Sequence, residues 1–249
     1  MKTLLLELSP KPKRSTSKYL LSHLRVTLGK DVIRKKLKQS EYENIYNLMN
    51  ECDNVVFATP IYVDGLPGSV VKFLEYLQTK EFKENIKLYA ISNCGFYEGH
   101  QNKNSLKMIE AFCITKNISY MGGVGVGAGE MIGVTRYFNI ALAFIIYLIE
   151  VIINLIVMLS NKDFNILKIF NVNLIGPSIS IILYFVFNLR LYYNFIKLSR
   201  YIKTSKKFDN IYTSVFCPRF LFVIFADIFW IIKALFRKVL PHKLYKRLK

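Results

Sequence analysis

The chain has 249 residues, enough for one large domain or for a domain of about 130–150 residues with an appendage. It carries 35 Lys/Arg against 17 Asp/Glu, a net charge of +18, and 52% of its residues are hydrophobic. Residues 1–135 hold 18 basic and 13 acidic residues, whereas residues 136–249 hold 17 and 4 and are rich in Ile, Leu, Phe, Val and Tyr. Positive charge mixed with long apolar runs points to a membrane surface or bilayer and away from nucleic acid, so no nucleic-acid partner is expected. Cys52, Cys94, Cys113 and Cys217 lie far apart without CxxC or CxxxC spacing, and His23, His100 and His242 are scattered, so no metal site is expected. The apolar run after Met1-Lys2-Thr3 is too short for a signal peptide, which leaves the N-terminal part expected in the reducing cytosol with free thiols.

Lys2–Leu8 reads as a first strand, followed by the polar loop Ser9–Ser17. A helix is expected from about Lys18 to Leu28, with Leu20, Leu21, Leu24 and Leu28 on one face and Gly29 as its stop. Val32–Leu37 suits a short strand, and Ser40–Glu51 a helix capped by Ser40 with Glu43 completing a capping box. Asn54–Ala58 is a buried strand that ends abruptly in Thr59-Pro60-Ile61-Tyr62. A helix near Gly68–Gln78, a strand at Ile86–Ile91, a helix at Ser105–Lys116 and a strand at Ser119–Val124 complete the pattern. Strands alternating with helices predict an α/β fold with a doubly wound parallel sheet over 1–135. The run Gly122–Gly129 follows the last strand and fits no GxGxxG register, so it reads as a tight turn or as backbone packing.

Residues 136–249 form an apolar, basic helical region. Residues 138–160 contain one acid, Glu150, and are long enough to span a bilayer; 172–190 form a second stretch, interrupted by Gly176-Pro177. Five basic residues from Lys197 to Lys207 favour a hairpin with both ends cytosolic, and 219–238 an amphipathic helix at the interface. Membrane association through 138–190 and 219–249 would put the N-terminal domain on the cytoplasmic face. The alternative is that these helices are buried or form a dimer interface in a soluble protein.

Chemistry concentrates in three loops that a parallel sheet would bring to its carboxyl edge. Ser9–Ser17 offers four hydroxyls, the cations Lys11, Lys13 and Arg14, and the free amides of a helix start, which suit a phosphate; a solvated basic turn with serine caps is the plain alternative. It lacks GxxxxGK[ST], so it is no ATP loop. The second loop, Thr59–Pro67, offers a flat Tyr62 ring, and the third is Ser92–Gly99.

These three loops, in this order and separation, resemble those of the flavodoxin-like NAD(P)H-dependent FMN reductases, within which the chain is most similar to a bacterial group with an added C-terminal helical region. The resemblance covers roughly residues 1–133, and Pro218-Arg219-Phe220…Trp230 is similar to a C-terminal helix of that group. By position it implies that Ser9, Lys11, Ser15, Thr16 and Ser17 hold the FMN phosphate. It implies that Thr59, Pro60, Ile61 and Tyr62 line the isoalloxazine, with Asn93, Gly95 and Phe96 flanking it. Departures are Leu8 where the family often has a small residue, Thr16 in place of the more usual Asn, and the more apolar stretch 138–196. No catalytic side chain is implied, because the flavin carries the chemistry. The implied function is an FMN-dependent NAD(P)H oxidoreductase, with NADPH or NADH as donor, passing electrons to a small acceptor. The apolar C-terminal part suggests a lipophilic one such as a quinone. The alternatives are a membrane-docked flavodoxin-like electron carrier and a flavin-free membrane scaffold. A homodimer also fits the resemblance.

Overall fold

The computed structural model describes residues 1–161 and 175–240. The connector from residue 162, the start of the second apolar stretch at 172–174 and the basic tail from residue 241 lie outside the described residues.

Six parallel strands form one sheet in the order β2-β1-β3-β4-β5-β6: β1 Thr3–Glu7, β2 Val32–Lys36, β3 Asn54–Pro60, β4 Lys87–Asn93, β5 Ser119–Val126 and β6 Ile211–Thr213. The first five reproduce the expected doubly wound, flavodoxin-like arrangement. β1 and β3 are buried along almost their whole length because helices cover both faces, which is why they read as unbroken apolar runs. Leu4, Leu6, Val55, Phe57 and Leu88 face a core closed by α2 (Tyr42–Glu51), α3 (Gly68–Gln78) and α4 (Lys103–Thr115). Against the sheet also packs α1 (Thr16–Leu28), with Leu20, Leu21 and Leu24 fully buried.

Local chemistry explains the boundaries. Ser15, in extended backbone, caps α1 by accepting from the Lys18 amide at 3.0 Å, and Gly29 ends it at φ +102°. The capping box expected at Ser40 does not form. A 3-10 turn at Gln39–Glu41 precedes α2, and the Glu43 carboxylate is drawn away to Lys80 at 2.8 Å and to the Tyr76 hydroxyl.

β6 was not expected from the sequence. It pairs with β5 through Val124–Val126, so β5 runs two residues past its expected end. The approach requires glycine: a Cβ at Gly99 would lie 2.8 Å from both the Gly125 carbonyl and the Thr213 amide.

From β5 the chain enters α5 (Gly129–Ser160), whose 32 residues measure about 48 Å. It returns through α6 (Ile175–Thr204), which packs along α5 and α1. The two ends of α6 differ. Leu191, Phe195, Leu198 and Ile202 are buried at helical spacing, whereas Ile179, Ile181, Ile182, Leu183, Val186 and Leu189 are exposed. On α5, exposed apolar residues run from Phe144 to Leu159. Among the described residues, two helices are long and apolar enough to cross a membrane, Ala143–Ser160 and Ile181–Thr204, the second partly buried against the protein. The compact unit thus extends past residue 135 to Val215, because α6 and β6 are built onto the sheet domain. A separate unit, Phe216–Lys249, contains α7 (Arg219–Phe236), on which the Lys233 ammonium lies 4.5 Å from the Trp230 ring centre.

Candidate functional site

The carboxyl ends of β1, β3 and β4 bring their three loops together. Ser9, Lys11, Ser15, Thr16, Ser17, Pro60, Ile61, Tyr62, Asn93 and Gly95 all line one cleft of about 50 Å³, together with Cys94 and Glu130. Two of the twelve residues expected there stand apart. Thr59 is fully buried beneath the cleft, with its hydroxyl turned to the Pro60 carbonyl at 2.9 Å. Phe96 is 60% exposed and outside the lining.

Asn93 ties the loops to one another. Its Nδ2 donates to Ser17 Oγ at 2.8 Å and to the Thr59 carbonyl at 3.0 Å, while its own carbonyl accepts from the Ile61 amide at 2.9 Å. One buried amide side chain therefore joins the starts of α1, the β3 loop and the β4 loop. The β3 loop is closed by mutual backbone bonds between Tyr62 and Gly65, with Val63 and Asp64 both left-handed at φ +49° and +59°. That conformation is costly for a β-branched residue such as Val63, and it holds the Tyr62 ring, 43% exposed, at the rim.

The hydroxyls around the α1 start are already engaged. Ser15 Oγ donates to Glu7 Oε1 at 2.8 Å while accepting from the Lys18 amide, and Thr16 Oγ1 donates to the Gly129 carbonyl at 2.9 Å. Ser9 Oγ accepts from the Lys11 amide at 3.4 Å. The groups that can meet an anion are the first amides of α1, at Thr16 and Ser17, which have no intrahelical acceptor, and the Lys11 ammonium in exchange for its carboxylate partner. Lys11 reaches across the mouth to Glu130 Oε1 at 2.7 Å.

Two carboxylates absent from the sequence expectation thus take part. Glu7 ends β1, is buried, pairs with Arg34 at 3.4 Å and fixes Ser15. Its sequence signal was an acid directly after the apolar run Leu4-Leu5-Leu6. Glu130 stands in the first turn of α5, where the helix dipole favours an acid. Behind the cleft, Ser92, Asn102 and Ser105 form a buried network, and Asn102 Nδ2 also donates to the Gly99 and Val126 carbonyls. Cys94 sits against this network, and burial pushes its thiol pKa up, so it is a poor nucleophile.

The donor set fits the phosphate end of a flavin nucleotide: two open helix amides and an ammonium in a cleft of phosphate size, with an aromatic ring at its rim. Pro60, Ile61 and Gly95 add a flat, mostly apolar edge beside Tyr62.

Among solved structures, the chain is similar to a Trp repressor binding protein from Bacillus subtilis, with 17% identity over 49% of this chain and 86% of that one and a TM-score of 0.43. An NADPH-quinone reductase from P. pentosaceus is 16% identical over 51% of this chain and 86% of that one, with a TM-score of 0.42. A flavodoxin from Streptococcus pneumonia TIGR4 is 13% identical over 49% and 81%, with a TM-score of 0.39. No curated protein matches the chain. The family model of NADPH-dependent FMN reductases matches residues 3–116, which include the α1 start, the Pro60–Tyr62 rim and Asn93. Residues 3–116 of this chain are therefore similar to the NADPH-dependent FMN reductases, a match that supports an oxidoreductase working with FMN and NAD(P)H.

Proposed function

We propose that the chain is a membrane-attached NAD(P)H:acceptor oxidoreductase that holds FMN at the carboxyl edge of the sheet and passes electrons to a small lipophilic acceptor such as a quinone. The observation that carries the reading is the convergence of the α1 amides, Lys11 and the Tyr62 rim on one cleft, in a domain similar to the FMN reductase family. When bound, FMN supplies the chemistry of accepting a hydride and releasing electrons. The Thr16 and Ser17 amides and Lys11 would hold its phosphate, and Lys11 would exchange Glu130 for that partner. Asn93 would keep the three loops in register, and Tyr62 would cover the ring from the rim. The exposed apolar residues of α5 and of the first half of α6 support attachment, since the 18 residues Ala143–Ser160 measure about 27 Å against a hydrocarbon core of about 30 Å. A lipophilic acceptor follows from that placement.

The test is the visible absorption of the purified chain, prepared with and without detergent, before and after anaerobic NADPH and NADH. An oxidised-flavin spectrum that bleaches with pyridine nucleotide is expected. A colourless protein that takes up no added FMN would end the flavin reading, and bound flavin that no nucleotide bleaches would make the protein an electron carrier.

A further inference from the structure

A groove of about 950 Å³ continues from the flavin cleft, sharing Lys11, Ser15, Thr16 and Glu130 with it, and runs between α1 and α6. Its two ends differ chemically. At one end stand the cations Lys13, Arg14 and Lys18, all exposed. The other wall is aromatic, made by Tyr184, Phe185 and Tyr192 of α6 with Tyr19 and His23 of α1.

Two contacts fix which way the groove points. The Tyr19 hydroxyl meets the Tyr184 hydroxyl at 2.5 Å, and Lys203 Nζ donates to the Thr27 carbonyl at 2.7 Å. α1 and α6 therefore run side by side in the same direction. The cationic turn before α1 lies at the end facing the exposed apolar part of α6, around Ile181, Ile182, Leu183 and Val186, while the far end of α1 faces the buried part. A cationic rim beside tyrosines at the base of an apolar helix is the arrangement of a bilayer interface, where tyrosine rings settle at headgroup level and basic residues meet acidic lipid. The groove touches the phosphate side of the flavin cleft; the Tyr62 rim is not part of it, so an acceptor seated in the groove would approach the wrong end of the cofactor.

We propose that this groove binds one anionic phospholipid, its phosphate against Lys13, Arg14 and Lys18 and an acyl chain passing Phe185 towards the exposed apolar part of α6 around Ile181 and Ile182. The inference rests on the membrane-attached reading above. It assigns the loop its excess of cations: Lys11 serves the flavin, and the others hold the domain against the bilayer with a fixed face.

The experiment uses the full chain in neutral detergent, titrated with short-chain phosphatidylglycerol, with phosphatidylcholine of the same chains, and with glycerol 3-phosphate, bound lipid being counted by native mass spectrometry. Phosphatidylglycerol is expected to bind at least fivefold more tightly than phosphatidylcholine, about fivefold being the worth of a single basic residue near an acidic headgroup. The double variant Lys13→Gln/Lys18→Gln is expected to lose about thirtyfold in phosphatidylglycerol affinity, the value of two such residues. FMN affinity should be unchanged in that variant, which shows that it is folded. Equal affinity for the two lipids, or indifference to the double variant, overturns the proposal. Glycerol 3-phosphate binding as tightly as the lipid overturns it too, in favour of a soluble phosphate. Attachment is read separately, by alkaline carbonate washing of the chain reconstituted in phosphatidylcholine vesicles. Retention without headgroup preference refutes the groove alone; release with headgroup preference refutes attachment alone and upholds the groove.

Discussion

At Ser15 the hydroxyl accepts from the Lys18 amide and gives its proton to Glu7, so it shapes the phosphate loop without a proton left for an anion. Ser15→Ala should cost about 1 kcal/mol of stability, the usual value of a helix cap, with little loss of FMN affinity; urea unfolding and flavin fluorescence titration measure the two. Asn93→Ala is the opposite case, because it unties Ser17 from the Thr59 carbonyl. FMN affinity should fall roughly tenfold or more, the worth of one to two net hydrogen bonds, as read by the same titration. Ten of the twelve residues expected at the site line one cleft, because small hydroxyls and a Pro-x-Tyr turn at strand ends carry a local signal of position. Thr59 lies outside the cleft because its facing within β3 depends on a register that only tertiary packing sets, and Phe96, three residues past β4, has no strand period to orient it. Alkaline pH probes another buried group. Burial pushes the Tyr89 pKa up to about 12 from 10.0, and its hydroxyl donates to the Tyr201 carbonyl at 3.2 Å. In the unfolded chain the phenol ionises near its ordinary value of 10.0 while the native one stays protonated. Its contribution is therefore whole below pH 10 and is lost as pH rises towards 12. Tyr89→Phe should flatten the fall in Tm over that window, as seen in a pH series of thermal melts.

Among the elements, α6 combines two environments in one helix. Its second half behaves as an ordinary core helix, with Leu198 fully buried, and its first half presents residues such as Ile182 at 58% exposure. Leu198→Ala should destabilise the domain by about 2–5 kcal/mol through lost burial and a cavity, measured by chemical denaturation in detergent. Ile182→Ser should leave that denaturation curve within about 0.5 kcal/mol, as a substitution away from the core does. It should also ease extraction of the chain from vesicles. The sequence shows hydropathy but not which side of a helix finds a protein partner, which is why the second apolar stretch and the basic segment after it looked like one span and its flank. β6 was illegible for a related reason. Ile211-Tyr212-Thr213 has no pattern of its own, and it becomes a strand because glycines at 99 and 125 leave room beside β5. The capping box at Ser40 was legible and wrong, since Lys80 outbid the Ser40 region for the Glu43 carboxylate.

At the scale of the unit Met1–Val215, the cationic loop and the exposed apolar surface lie towards the same end of α1 and α6. The sheet domain carries its cationic loop, Lys11 to Lys18, at the end of α1 that faces the exposed part of α6, and the cleft proposed for the flavin opens beside that loop. On the proposed membrane attachment, an acceptor dissolved in the bilayer would meet the protein near the cleft, whereas a water-soluble one would gain nothing from that attachment. This gives a kinetic prediction with a built-in control. In vesicles, kcat/KM for a long-tailed quinone should exceed that for its tail-less, water-soluble analogue by about tenfold or more, the gain from concentrating an apolar tail of a few methylenes in the membrane. In detergent below its micelle concentration the two should converge. If they differ equally in both settings, the preference belongs to the cleft itself, and the hairpin serves attachment without bearing on the choice of acceptor. If the soluble quinone is favoured in vesicles, the cleft faces water, and the cationic loop beside it steers a charged acceptor, a rate effect that added salt would abolish within a few Debye lengths.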